Sequence, residues 1–305
     1  MRRLVFALPG NEALARRLAA GLGATLGRAT VRRFPDGECY VRVGATVRGR
    51  EVILVCTLDR PNDKFLSLYF IAGAIRDLGA TRVGLVCPYL PYMRQDKTFR
   101  KGEAVTSVSF ADIMSRTVDW IVTVDPHLHR WPDLSSIYRV PAIATHAAPL
   151  VASWIRDHVR MPLIVGPDAE SAQWAAAVAR DCGGRSVVLR KNRSGDRRVT
   201  VSDLPMASRP PGTPVVMDDI ISTGHTMIQT VQKVRAAGYP RPYCIGIHGI
   251  FAESAYAKLK SAGARQIVSS NTVPHPTNAI DVTSLLVDAV TRIGDSGSDS
   301  RAVTR

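Results

Sequence analysis

The sequence predicts an α/β protein of two domains, each a mainly parallel sheet flanked by helices. Three observations carry that expectation. Short apolar runs alternate along the chain with stretches whose apolar residues recur at i, i+3 and i+4. Polar side chains collect where the apolar runs end. The 305 residues exceed one comfortable core, so two domains of about 150 residues each are the natural division.

Strands are expected at 3–8 (RLVFAL), 51–56 (EVILVC), 82–89 (RVGLVCPY), 120–125 (WIVTVD) and 162–168 (PLIVGPD). Four more are expected at 186–191 (SVVLRK), 214–219 (PVVMDD), 244–251 (CIGIHGIF) and 266–271 (QIVSSN). Helical periodicity is clearest over 12–23, 171–183 and 226–238, the last closed by Gly238, a fitting helix stop. Strands alternating with helices imply parallel pairing with helices on both faces. Asp125 with His127, Asp168, Lys191, and Asp218 with Asp219 fall at strand ends, the edge at which open α/β sheets bind ligands. The turn THAAPL at 145–150 marks a border, giving domains over 1–145 and 146–293. The tail GDSGSDSRAVTR at 294–305 is expected to be disordered.

A formal charge of +14 suggests an anionic partner. Nucleic acid is a weak candidate, because the basic residues are spread out and aromatics make up only 6% of the chain. The densest basic cluster, RSVVLRKNRSGDRR at 185–198, suits a phosphate-binding loop as well. No apolar run approaches the roughly 18 residues of a membrane span. The opening MRRLVFALPGNEALARR has too short an apolar core for a secretory signal. Cys39, Cys56, Cys87, Cys182 and Cys244 are scattered without a C-x-x-C spacing. They read as reduced core residues of a cytoplasmic protein.

The most informative stretch is VVMDDIISTGHTM, residues 215–227. A buried strand delivers Asp218 and Asp219 to the sheet edge, and a helix begins near His225 or Thr226. The turn between them supplies hydroxyls and backbone N–H groups at a helix N-terminus, a ready anion site. A phosphate there and a sugar diol on the carboxylates would satisfy both halves of the pattern. A plain helix cap beside a surface acidic pair explains the residue types but not their order.

This stretch resembles the phosphoribosyl-pyrophosphate (PRPP) loop shared by type I phosphoribosyltransferases and PRPP synthetases. The first half separates the two families. PYLPYMRQDKTFRKGEAVTS at 88–107, RRFPDGECYVRV at 32–43 and VDPHLHR at 124–130 resemble synthetase segments. So do VGPDAESAQWAAAVA at 165–179, RKNR at 190–193, IHGIFAESA at 247–255 and SSNTVPHP at 269–276. In register over about residues 3–293, they identify the chain as a member of the PRPP synthetase (ribose-phosphate pyrophosphokinase) family.

The resemblance implies two phosphoribosyltransferase-like domains, a nucleotide-binding one before a ribose 5-phosphate-binding one. The implied reaction moves the β,γ-diphosphoryl group of ATP to the 1-hydroxyl of ribose 5-phosphate, giving PRPP and AMP. Phe34, Asp36 and Glu38 would contact adenine from a neighbouring subunit, so a homo-oligomer of at least two chains is implied. Arg94, Gln95 and Asp96 would hold the other side of ATP. His127 would help bind the magnesium nucleotide, although His129 is an equal candidate by chemistry alone. Asp168, Asp218 and Asp219 would hold the ribose hydroxyls and associated Mg²⁺, with His127 completing the metal-binding set. Ser222, Thr223, Gly224 and Thr226 would cradle the 5-phosphate, Gly224 permitting close backbone approach. Lys191 and Arg193, on a polar closing loop, would stabilise the transition state. No nucleic acid or membrane partner is implied.

Departures exist. Ala169, Glu170 and Ser171 stand where many relatives carry paired glycines, Pro126 lies inside the D-x-H turn, and Ile220–Ser222 lacks the usual acidic residue. These features resemble the archaeal-type branch of the family. A non-catalytic synthetase-associated subunit, a type I phosphoribosyltransferase and a PRPP-sensing protein are the rival readings. The first and last would tolerate loss of Lys191 or Arg193, and the second would not need the first half.

Overall fold

The computed structural model describes residues 3–167, 171–189, 191–194, 198–201 and 211–299. The chain divides into two compact units, Met1–His146 with Val282–Arg305, and Ala147–Asp281.

The first unit begins with β1 (Arg3–Ala7), α1 (Glu12–Gly21) and the short β2 (Thr25–Leu26). An antiparallel hairpin follows, β3 (Ala29–Arg33) with β4 (Cys39–Val43). Next come β5 (Glu51–Val55), α2 (Pro61–Asp77), β6 (Arg82–Val86), α3 (Thr106–Thr117), β7 (Trp120–Val124) and β8 (Ala142–Thr145). The sheet order is β2-β1-β5-β6-β7-β8, every pair parallel. β5 and β7 are buried throughout, the expected result for parallel strands covered on both faces.

The second unit repeats this plan. It runs through α4 (Ala148–His158), β9 (Pro162–Gly166), α5 (Ala172–Asp181), β10 (Arg185–Val188) and a hairpin of β11 (Lys191–Ser194) with β12 (Arg198–Val201). β13 (Thr213–Ile221), α6 (His225–Ala236), β14 (Tyr243–Gly249), α7 (Ala255–Ser261), β15 (Gln266–Ser270) and β16 (Asn278–Ile280) complete it. Its sheet order is β10-β9-β13-β14-β15-β16, again all parallel. Each sheet therefore winds outward in both directions from its first strand. The switch points lie between β1 and β5 and between β9 and β13, where a crevice opens at the carboxyl edge. Each unit also inserts a hairpin between the second and third strands of its sheet.

Three expectations are revised. The second domain was expected to run to 293, but the last helix, α8 (Thr283–Asp299), belongs to the first unit. Its buried Leu286, Ala289, Val290 and Ile293 form one helical stripe that packs on α1, β7 and β8. A Cβ on Gly21 of α1 would lie 2.6 Å from Val287, so that glycine lets the two helices approach. The same helix carries residues 294–299 of the expected tail; 300–305 lie outside the described residues. Lastly, Cys39 is half-buried on the β4 strand, whereas the other four cysteines are core residues without disulfides. Burial pushes the Cys56 thiol up to about 12, which keeps it protonated and unreactive.

Candidate active site

In the second unit the central strand β13 carries Asp218 and Asp219 near its carboxyl end, both half-buried. Each carboxylate turns one oxygen back on the chain. The Asp219 N–H donates to Asp218 Oδ1 at 3.1 Å, and the Ile220 N–H to Asp219 Oδ1 at 2.8 Å. The strand then passes into Ser222–Thr223, and Gly224 caps α6 in the left-handed region at φ 70°. Only glycine adopts that conformation without strain. The helix begins at His225, so the loop meets the positive end of the helix dipole. Ser222, Thr223, Gly224 and Thr226 thus fall within one turn at one sheet edge, beside the Asp218–Asp219 pair.

Asp168 lies outside the described residues. The strand β9 forms the other side of the β9–β13 switch point, and Gly166 there leaves room for Ser171, whose Oγ would be 2.5 Å from a Cβ at that position. Lys191 and Arg193 fall in β11, opposite Val201 and Val199 of β12. A hairpin thus occupies part of the expected loop; Arg190 and residues 195–197 lie outside the described residues.

In the first unit, the chain leaving β6 passes through Tyr92, a non-glycine residue at φ 63°, into Arg94, Gln95 and Asp96. Arg94 is exposed, with its guanidinium 3.5 Å from the Tyr89 hydroxyl. Thr106 Oγ1 donates to Gln95 Oε1 at 3.3 Å, and the Ser107 N–H to the Gln95 carbonyl at 3.3 Å. Asp96 is 8% exposed and faces Arg130 at 3.5 Å and His129 at 4.0 Å. Arg94 and Asp96 are therefore not an ion pair with each other. Asp96 instead ties this segment to the turn after β7.

That turn carries both candidate histidines, whose rings stack with centroids 6.2 Å apart. Of the two, His129 is the one facing Asp96. The turn opens at Asp125 in the left-handed region, φ 35°, with Oδ1 2.9 Å from Nδ1 of His146. Sequence reading missed His146, since its partner lies on another strand. The Asp125 hydrogen bond holds the His146 pKa above its ordinary 6.5, against an opposing contribution from burial. An elevated folded value stabilises the fold fully below about 6.5 and ceases to do so as pH rises through it. With the His146 side chain 72% exposed, water screens the pair and the stability effect is small. NMR titration of the His146 ring over about pH 5–9 is expected to show the elevated value, and Asp125→Asn to lower it.

Phe34, Asp36 and Glu38 occupy the tip of the β3–β4 hairpin. The turn closes through Phe34 N–H to the Glu38 carbonyl at 2.7 Å, and Asp36 Oδ1 accepts the Glu38 N–H at 3.1 Å. Phe34 is exposed and meets Tyr40 edge to face at 6.1 Å. The Arg32 guanidinium fills the angle between the rings, 4.4 Å from one centroid and 4.3 Å from the other. Such contacts contribute about 0.5–1 kcal/mol each at exposed sites and fix the Phe34 ring. Alternation along the two strands is the signal that would have found Arg32 and Tyr40, because i and i+2 share a face.

Comparison with known proteins shows the family and the fold. Residues 3–117 match the N-terminal domain of ribose phosphate pyrophosphokinase, and residues 133–285 the phosphoribosyl transferase domain. A ribose-phosphate pyrophosphokinase from Methanopyrus kandleri is 32% identical over 94% of this chain and 98% of its own. One from Sulfolobus acidocaldarius is 32% identical over 82% and 86%. The crystal structure of a phosphoribosylpyrophosphate synthetase from Mycobacterium smegmatis superposes with a TM-score of 0.84 at 24% identity. It covers 97% of this chain and 100% of its own, which shows a shared fold.

Proposed function

Because this chain belongs to the ribose-phosphate pyrophosphokinase family, we propose that its two units divide one diphosphoryl transfer between them. The substrates are ATP and ribose 5-phosphate, and the products PRPP and AMP. The observation that carries the division is the β13–α6 junction. A carboxylate pair for a sugar diol runs directly into a left-handed glycine and a hydroxyl-rich helix N-terminus for a phosphate. The match of residues 3–117 to the family's own N-terminal domain disfavours a simple phosphoribosyltransferase, for which that unit would be superfluous.

On the ribose side, Asp218 and Asp219 hold the hydroxyls while Ser222, Thr223, Gly224 and Thr226 take the 5-phosphate. Asp168, which lies outside the described residues, joins them on the strength of the family resemblance alone. On the nucleotide side, Arg94 and Gln95 contact ATP directly, and His127 lies against its phosphates. Asp96 acts through Arg130 and His129, which it faces, and so sets the position of the turn bearing His127. Lys191 and Arg193 stabilise the charge that develops on the transferred group.

Among the described residues, no group of three or more His, Cys, Asp and Glu side chains is placed to hold a metal ion. The adjacent carboxylates of Asp218 and Asp219 nevertheless fit Mg²⁺, which accepts one or two carboxylates and completes its shell with water and substrate phosphates. Asp168 and His127 are the further candidates. When bound, Mg²⁺ would neutralise phosphate charge.

The active species is at least a homodimer. Phe34, Asp36 and Glu38 project on an exposed hairpin beside α2. Leu66, Tyr69 and Phe70 of α2 and Val108 and Ile113 of α3 are exposed as well. A groove of about 270 Å³ between these helices is lined by Phe65, Leu66, Phe110 and Ile113. Apolar surface of this kind marks an interaction face. No described helix is long and apolar enough to cross a membrane, and the buried thiols support a cytoplasmic site of action.

Incubation with ribose 5-phosphate and MgATP, without any nucleobase, is expected to yield AMP and PRPP in equal amounts. Release of ADP instead would identify an ordinary kinase.

A further inference from the structure

Two segments that resemble family sequence blocks, 247–255 and 269–276, take no direct part in that reaction, yet they meet immediately behind the loop 222–226. The chain leaves β14 and doubles back at once. The N–H groups of Ile250 and Phe251 both donate to the Ile221 carbonyl, at 3.0 and 2.9 Å, the carbonyl that precedes Ser222. A Cβ on Gly249 would lie 2.6 Å from the Phe251 ring, so the missing side chain is what lets that ring fold back. Phe251, Glu253 and Ser254 then adopt φ of 48°, 51° and 62°. None is glycine, and such a run persists only where its surroundings over-determine it. The next residue, Ala255, is fully buried and lies where a Cβ on Gly224 would come within 3.4 Å of it. The segment 250–255 therefore braces the loop at Ile221 and again at Gly224.

The contacts that hold the segment come from the other block. The Phe251 ring packs on the His275 imidazole with centroids 4.3 Å apart, and Tyr256 closes on both at 5.8 and 5.4 Å. His275 is itself oriented. Its Nδ1 accepts the Thr277 N–H at 3.3 Å and lies 2.9 Å from Thr277 Oγ1. Thr277 Oγ1 in turn meets the buried Ser269 Oγ at 2.7 Å, which ties the imidazole to β15. Deeper in the core, His248 Nδ1 lies 2.9 Å from Thr272 Oγ1, joining the same two blocks a second time.

We infer that Phe251 and His275 are positioning residues for ribose 5-phosphate, their stack holding residues 250–255 against the 5-phosphate loop at Ile221 and Gly224. The inference rests on the assignment of residues 222–226 to that phosphate. Neither side chain touches the substrate in this scheme. Loosening the stack lets Ile221 and Gly224 shift, and the loop's N–H groups no longer converge. Nucleotide affinity, which depends on the other unit, stays unchanged.

Calorimetric titration of the full-length protein with ribose 5-phosphate tests this, alongside steady-state KM values for both substrates. His275→Ala is expected to weaken ribose 5-phosphate binding about tenfold, with the KM for ATP within about twofold of wild type. His275→Phe keeps the stacking surface and is expected to restore binding to within about threefold. Tyr256→Ala removes a ring that is 38% exposed, and is expected to weaken binding about threefold; it decides the matter if His275→Ala does not fold. The double variant Thr223→Ala, Thr226→Ala probes the loop itself. If the double variant loses ribose 5-phosphate and neither His275→Ala nor Tyr256→Ala does, the buttress is overturned and the loop assignment stands. If the double variant binds normally, the loop assignment fails and takes the inference with it. Equal loss of both substrates in His275→Ala would likewise overturn it, since that is general destabilisation.

Discussion

Lys191→Ala is expected to lower turnover by about 10²–10³-fold, the loss typical of removing one group that stabilises developing charge, while MgATP binding is retained. The basis is the chemistry of the step. In phosphoryl transfer the protein contributes mostly position and charge, and a cation useful only when charge builds on the transferred group raises kcat rather than affinity. Lys191 lies in β11, on a two-stranded hairpin outside the six-stranded sheet. Single-turnover rates with parallel nucleotide-binding measurements separate the two effects. Turnover within a few-fold of wild type would remove Lys191 from the chemistry. Equal loss of turnover and nucleotide binding would make it a ground-state contact instead.

The second large effect is restoration of activity from two inactive chains. A Phe34→Ala, Glu38→Ala double variant lacks the hairpin tip proposed to reach its neighbour, and Lys191→Ala lacks the cation proposed to act in catalysis. If each site takes its hairpin from the partner subunit, a mixed dimer contains one wild-type site and one doubly defective site. Random mixing makes half of the dimers mixed, so about a quarter of wild-type activity should return. The structure gives this a physical setting. Arg32 lies against the Phe34 ring and Tyr40 against its edge, so the ring is held in place for stacking, worth on the order of 1 kcal/mol. Full activity from a demonstrated monomer, or no recovery in verified mixed dimers, would show that each pocket is built within one chain.

Much of the candidate site's local structure was legible in the sequence because its signals are local. Asp218, Asp219 and the 222–226 turn are contiguous, and a buried strand before them with an amphipathic helix after them leaves one place for the loop. The helix start at His225 and its stop at Gly238, which lies at φ 79°, follow from the same short-range rules. The strands β3 and β4 were not legible as a pair. One face is only half-buried, through Ala29, Val31, Val41 and Val43, so the alternation it imposes on the sequence is weak. The ion-pair neighbours of Asp96 were not legible either, because Arg130 and His129 lie beyond β7.

By itself the sequence determined that the chain is α/β, that carboxylates close the apolar runs at Asp125 and at Asp218–Asp219, and that Gly238 stops the helix α6. Those properties depend on periodicity and on residue order over a few positions, which chain folding preserves. Only the tertiary structure decided that α8 returns to the first unit, that Asp125 meets His146, that Asp96 faces Arg130, and that Phe251 stacks on His275. Each of these joins elements whose adjacency is set by strand order and by which apolar faces bury one another. An amphipathic helix records in its sequence that it has a face to bury, but not which sheet will cover it.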